Sequence, residues 1–217
     1  MGVPVGMVLN PQSAKQGMRE HFLTRQIPLM MDNGAYQAYV SGEKPDWDLA
    51  VKIAEELKAD YIVAMDKISE TKEDAEESLK LSLEVFGSTA IETIVSLQSI
   101  ALGPSNSEQI KDHVRRAIDR GVRVIGIPLV NASKLGNLRF ALNMRWMIPR
   151  RCHALGFPWG NDKMIRKLRF FDSADGTFWH ISENAYETPK AIQDVYLQIV
   201  APKDTTSLMS FQDGIET

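Results

Sequence analysis

Short apolar runs alternate along this chain with longer stretches whose apolar residues recur every three to four positions. The runs at 3–9, 27–31, 61–65, 93–97, 122–127, 152–157 and 168–171 predict strands. Between them, Trp47, Ala50, Val51, Ala54 and Leu57 fall on one helical face, as do Ile110, Val114, Ala117 and Ile118. Further helices are predicted over 75–86, 138–146 and 190–200, the last following Pro189. Strands that are apolar nearly throughout, each separated from the next by an amphipathic helix, predict a parallel sheet buried on both faces, an α/β fold.

Periodicity cannot distinguish an open doubly wound sheet from a closed barrel, but the placement of polar residues can. A dinucleotide-binding sheet concentrates glycines in the turn after its first strand, whereas a barrel distributes reactive groups over the carboxyl ends of many strands. Here the first strand leads into Asn10-Pro11-Gln12-Ser13, and later strands end in Asp32, Asp66, Gln98, Gly126, Gly156 and Asp172. The expected fold is therefore a parallel (β/α)8 TIM-like barrel over residues 1–200, its last unit reduced or irregular, with a loosely held tail over 201–217. No P-loop, H-E-x-x-H or G-x-S-x-G occurs in the 217 residues, so those readings lose their usual support.

Charge changes the picture more than composition does. The formal net charge is −3, yet the segment 134–169 carries nine Lys and Arg against one acid, which places +8 there and −11 elsewhere. The segment 43–84 holds thirteen acids and six lysines, a pattern expected of solvated helix faces. A single cysteine, Cys152, rules out an intramolecular disulfide and a cysteine-rich zinc cluster; with no apolar span or secretory leader in view, the expected location is the cytoplasm.

Three carboxylates and an amide at strand ends suit recognition of a polar heterocycle combined with glycosyl chemistry. Asp66 and Gln98 can together match a guanine-like edge, while Asp32 and Asp172 suit acid/base and nucleophilic roles at an N-glycosidic bond. Plainer roles compete. Asp66 could cap the next helix, Gln98 could satisfy loop backbone, and His153 could be a packed strand histidine. His180 reads as a surface residue. Lys67 opens a different enzyme class, because a lysine at a barrel strand end can form a Schiff base, as in aldolases.

The motifs narrow the choice. Asp32-Asn33-Gly34-Ala35-Tyr36-Gln37 resembles the D-S-G-G-F-Q motif of the tRNA-guanine transglycosylase superfamily, barrel enzymes that exchange guanine in nucleic acid for a 7-deazaguanine such as queuine. In the same order follow Tyr61 to Asp66, similar to the strand ending in the base-binding aspartate, and Val95-Ser96-Leu97-Gln98, similar to V-Q-G. Gly126-Ile127-Pro128-Leu129 stands where that family has G-L-A-V-G, His153-Ala154-Leu155-Gly156 resembles L-M-G-V-G, and Phe171-Asp172-Ser173-Ala174 resembles F-D-S-A. The resemblance implies Asp172 as nucleophile and Asp32 as general acid/base. It implies Asp66, Gln98, Gly126 and Ile127 around the base, with Tyr36 stacked on it.

Residues 173–179 also resemble the S-A-D-S-T-x-W pattern of the phage and DNA-modifying branch, in which Asp175 takes the nucleophile position. Asp172 is preferred if the strand runs through Phe171. The zinc subdomain and RNA-binding domains of the tRNA enzymes have no counterpart here, which favours DNA over tRNA as acceptor. The resemblance implies no metal or organic cofactor. A nucleic acid and a free 7-deazaguanine base are the expected partners, with a homodimer left open. In the basic segment, Arg150, Arg151, Lys163, Arg166 and Lys167 are the expected backbone contacts, opening on the face of the aspartates beside a 157–161 loop. A non-catalytic nucleic-acid-binding barrel is the rival from outside enzymology.

Overall fold

The computed structural model describes residues 7–11, 23, 28–157, 167 and 170–175. The predicted helix over 190–200, the tail, the loop residues 158–161, Lys163, Arg166 and His180 lie outside the described residues. Seven parallel strands form one sheet: β1 (Met7–Leu9), β2 (Leu29–Met31), β3 (Tyr61–Val63), β4 (Glu92–Ser96), β5 (Val124–Pro128), β6 (Arg151–Leu155) and β7 (Ser173–Ala174). Their order in space is their order in sequence. The sheet curls into a partial barrel.

Helices α1 (Ala35–Ser41), α2 (Trp47–Glu56), α3 (Lys72–Val85), α4 (Ser107–Asp119), α5 (Leu129–Lys134) and α6 (Leu138–Met144) fill the connections from β2 to β6, with 3-10 turns at Gln98–Leu102, Pro104–Asn106 and Arg145–Met147. Local chemistry sets their starts. The Asp46 carboxylate accepts from the Leu49 amide at the head of α2, and Thr71 and Asp74 form a reciprocal capping box on α3. Thr71 caps α3, so Asp66 is not a helix cap. Among the described residues no helix is long and apolar enough to cross a membrane.

Two layers of core follow from strand parity. Outward-facing Leu29, Met31 and Ile62 pack on α2 through Ala50 and Ala54. Val95, Ile125, Ile127, Cys152 and Ala154 join Leu79, Ile110 and Ala117 beneath α3 and α4. Fully burying each large aliphatic side chain contributes roughly 1.5–3 kcal/mol. The inner layer comprises Met30, Val63, Ile94 and Val124, with Tyr61 and Leu155 against it. Register then carries the inward face upward: Ser96 pairs with Gly126, Gly126 with His153 and His153 with Ser173. The interior thus turns from apolar to polar toward the carboxyl ends of the strands.

Two expectations about strand positions need correction. Gly126 lies in mid-β5, where its carbonyl accepts from the Leu97 amide at 3.0 Å. The last strand among the described residues is Ser173–Ala174, and Phe170 and Phe171, expected within a strand, lie outside it, Phe170 packing on Trp146 with ring centroids 5.0 Å apart. Asp172 therefore precedes β7 and lies at its amino end.

The turn leaving β6 depends on Gly156. Its φ is +64°, a region that disfavours side chains, and a Cβ there would overlap Val130 of α5. Gly156→Ala is expected to cost roughly 2–3 kcal/mol in urea unfolding, combining left-handed strain with overpacking. Gly136, at φ +75° with open space around it, is the matched control. Gly136→Ala should cost only about 1 kcal/mol.

Candidate active site

Asp32, the residue immediately after β2, keeps strand parity with Met30 and so faces the interior. Its amide donates to the Leu9 carbonyl at 2.7 Å, while the backbone N–H groups of Asn33 and Gly34 stabilise its carboxylate. Gly34, at φ +75°, makes the turn into α1, and Ala35 is already helical, so a second glycine is not needed there. Burial, and then the charges of Asp175 and Asp66, push the Asp32 carboxyl up to about 7. A carboxyl group near neutrality can give and take a proton at physiological pH.

Asp66 lies beyond β3 and is buried. Asn33 donates to its Oδ1 and Gln98 to its Oδ2, each at 2.8 Å. Asn33 also donates to the Ala64 carbonyl and accepts from the Ala35 amide, which ties the β2 and β3 ends together. Burial raises the Asp66 carboxyl above its ordinary range, and the donors from Asn33, Gln98 and Ser96 partly offset this. The Gln98 amide nitrogen is also shared with the Ser96 hydroxyl at 3.1 Å. Its Oε1 is buried with no hydrogen-bond partner among the described residues, an acceptor held ready for a ligand.

Asp175 follows β7 at its carboxyl end. Its Oδ1 accepts from the Gly156 amide and meets His153 Nε2, both at 3.0 Å. Its backbone N–H donates to Ala154, and its carbonyl accepts from Phe157. Asp66 and Gln98 are bonded to each other, and the charges of Asp175 and Asp66 both reach Asp32, so the four side chains gather toward the carboxyl ends of the strands.

Asp172 does not join them. Its Oδ2 accepts from the Cys152 amide at 2.8 Å and pairs with Arg145 at 3.3 Å, at the amino end of β6. Arg151 starts β6 and, with Arg123, neutralises Glu92 at the start of β4 (3.1 and 2.9 Å). Arg150 precedes Arg151 and bonds the Pro149 carbonyl. Lys167 lies over the Phe170 ring at 5.6 Å. Arg150 and Arg151 therefore stand at the end of the sheet opposite the aspartates, contrary to the expected backbone clamp.

The remaining predicted residues divide. Tyr36 is on α1, 44% exposed, with Lys134 Nζ 4.6 Å over its ring. The Ile127 side chain is buried in the outer core, so only its backbone could meet a base. Lys67 pairs with Asp74 and Glu77, both at 2.7 Å, and these bonds raise its pKa further. A Schiff-base lysine needs the opposite shift. The Cys152 thiol is pushed up to about 11 by burial and is a poor nucleophile.

Asn33 and His153 are the residues that sequence reasoning undervalued. Asn33 sat inside a quoted motif, but nothing in the sequence showed that it reaches across to Asp66. No protein-family model matches this chain, and no curated protein matches it.

Proposed function

We propose that this chain is a transglycosylase that replaces guanine in nucleic acid with a 7-deazaguanine base through a glycosyl-aspartate intermediate, in a barrel completed beyond the seven described strands. The observation that carries the proposal is the convergence of Asp32, Asp66, Gln98 and Asp175 at the carboxyl ends of the strands.

Asp66 and Gln98 are the base site. With one amide donor already on each carboxylate oxygen, Asp66 retains lone pairs for further N–H groups, and Gln98 Oε1 adds another acceptor. An acceptor-rich edge matches the N1–H and 2-amino donors of guanine and 7-deazaguanine. Adenine presents an acceptor at N1 and would be refused.

Asp175 attacks C1′ of the sugar. The new C1′–O bond forms as the C1′–N bond breaks, and the electron pair leaves with guanine, which takes its proton from Asp32. The incoming deazaguanine then yields a proton to Asp32 and displaces Asp175, restoring both carboxyls. DNA is the favoured acceptor and tRNA the alternative, on the motif resemblance around Asp175. The target nucleotide must be single-stranded or extruded, at a cost of about a few kcal/mol. A reducing cytoplasm suits the single buried thiol of Cys152.

The test is direct. The protein is incubated with single-stranded guanine-containing DNA, or with tRNA, and an isotopically labelled 7-deazaguanine base, then denatured. Label incorporation and a denaturation-resistant protein–nucleic acid adduct are expected, stronger with DNA. No incorporation and no adduct with either acceptor would overturn the proposal in favour of a binding barrel. Borohydride trapping of a carbonyl substrate on Lys67 would favour the aldolase class.

A further inference from the structure

His153 is buried in the inward-facing polar layer, its side chain 5% exposed, with both ring nitrogens engaged. Nδ1 is 2.7 Å from the Ser173 hydroxyl, and Nε2 is 3.0 Å from Asp175 Oδ1. An ionised carboxylate only accepts, so Nε2 carries a proton; a neutral ring then accepts at Nδ1 from the Ser173 hydroxyl. Both partners belong to the segment 173–175, formed by β7 and the residue after it, and Ser173 is also the register neighbour of His153. Buried ring nitrogens need partners in any case; here both come from the segment that carries the candidate nucleophile.

We infer that His153 is the positioning residue of Asp175: with the Gly156 amide it holds Oδ1, and so leaves Oδ2 as the oxygen that attacks C1′. This rests on the transglycosylase reading above. Two donors on Oδ1 fix the plane of the carboxylate before substrate arrives, so its orientation costs nothing at the moment of attack. Once Oδ2 is glycosylated, Oδ1 is the ester carbonyl oxygen and still accepts from the same two N–H groups. When the second base displaces the aspartate, negative charge returns to a carboxylate whose donors are already in place. The imidazole transfers no proton in either step.

His153→Leu keeps the volume and removes both polar contacts. It is expected to lower kcat for base exchange roughly 100-fold, the scale of a misplaced reacting group. KM for the free base, which Asp66 and Gln98 bind, should stay within about threefold. His153→Gln returns an amide N–H to the side of Asp175 and should recover activity to within about tenfold of wild type. If His153→Leu does not fold, Ser173→Ala serves instead. It removes only the hydroxyl on Nδ1, and should lower kcat several-fold and shift the His153 15N resonances, which in the wild type should report the Nε2–H tautomer.

Base exchange at the wild-type rate in His153→Leu would overturn the inference, as would a folded His153→Gln no faster than His153→Leu. An unchanged His153 spectrum and unchanged kcat in Ser173→Ala would also overturn it. These outcomes require a wild-type protein that exchanges base; a wild type that does not exchange defeats the parent proposal instead, and the positioning role with it.

Discussion

Asp175→Asn is expected to reduce glycosyl-adduct formation by at least roughly 10⁴-fold, since loss of a nucleophile leaves only binding and electrostatic contributions. Asn keeps the shape and an acceptor oxygen for His153 and Gly156, so the fold should be little affected. The informative comparison is Asp172→Asn. Asp172 is three residues away in sequence but at the other end of β7, 42% exposed, bonding the Cys152 amide and Arg145. Its substitution should leave exchange within about threefold of wild type and cost at most about 1 kcal/mol in stability, the range for a partly exposed ion pair. Adduct yield on denaturing gels, measured for both variants, decides the matter. Loss of adduct in Asp172→Asn with retention in Asp175→Asn would place the chemistry at the amino end of the sheet and refute the site described above.

Asp32→Asn should slow exchange by roughly 10²–10⁴-fold, the usual contribution of a general acid/base, while making the protein more stable at alkaline pH. The sign follows from linkage. The native carboxyl titrates near 7 and the unfolded one near 3.8, so the folded state binds the extra proton between these values. The Asp32 contribution to wild-type stability therefore falls as pH rises from about 4 through about 7, by at most about 4 kcal/mol. Part of that loss is shared with Asp175 and Asp66, whose charges help raise the value. A neutral Asn escapes it. Urea unfolding at pH 5 and pH 8 should show the variant gaining on wild type by a few kcal/mol at the higher pH. A variant that instead loses ground at pH 8 would mean that Asp32 sits among positive charges. Exchange by the wild type should correspondingly decline above pH 7, where the acid form is depleted.

What was legible in the sequence was whatever periodicity could carry. The six apolar runs that became β1 to β6 and the amphipathic stretches of α2, α3, α4 and α6 followed from patterning, within a few residues at their ends. Helices α1 and α5 did not, because seven and six residues are too few for a face to repeat. The seventh strand was misplaced because Phe170 and Phe171 satisfy a strand pattern while packing from outside the ladder. That error carried into chemistry by making Asp172 seem a strand-end residue. The candidate base site was more legible: Asp66 and Gln98, 32 residues apart, were paired as polar strand-end residues and are hydrogen-bonded. The links Asn33–Asp66 and His153–Asp175 depend on which strand lies beside which and in what register, information that no local pattern holds. The basic segment was misread in part for a similar reason. Its arginines at 145 and 151 balance Asp172 and Glu92, so formal charge overstated the field available to a polyanion.

Because every described strand lies beside its neighbour in sequence, the sheet can be built in the order in which the chain is synthesised, one strand at a time and without long loop closures. The Asp66–Gln98 pair is available once β3 and β4 have joined. The candidate nucleophile is not, for Asp175 is held only when β7 docks on β6 and the turn at Gly156 closes over it. A nascent or partly unfolded chain can thus hold the candidate base site before the candidate nucleophile is in position. On the transglycosylase proposal, competence to attack nucleic acid arrives last.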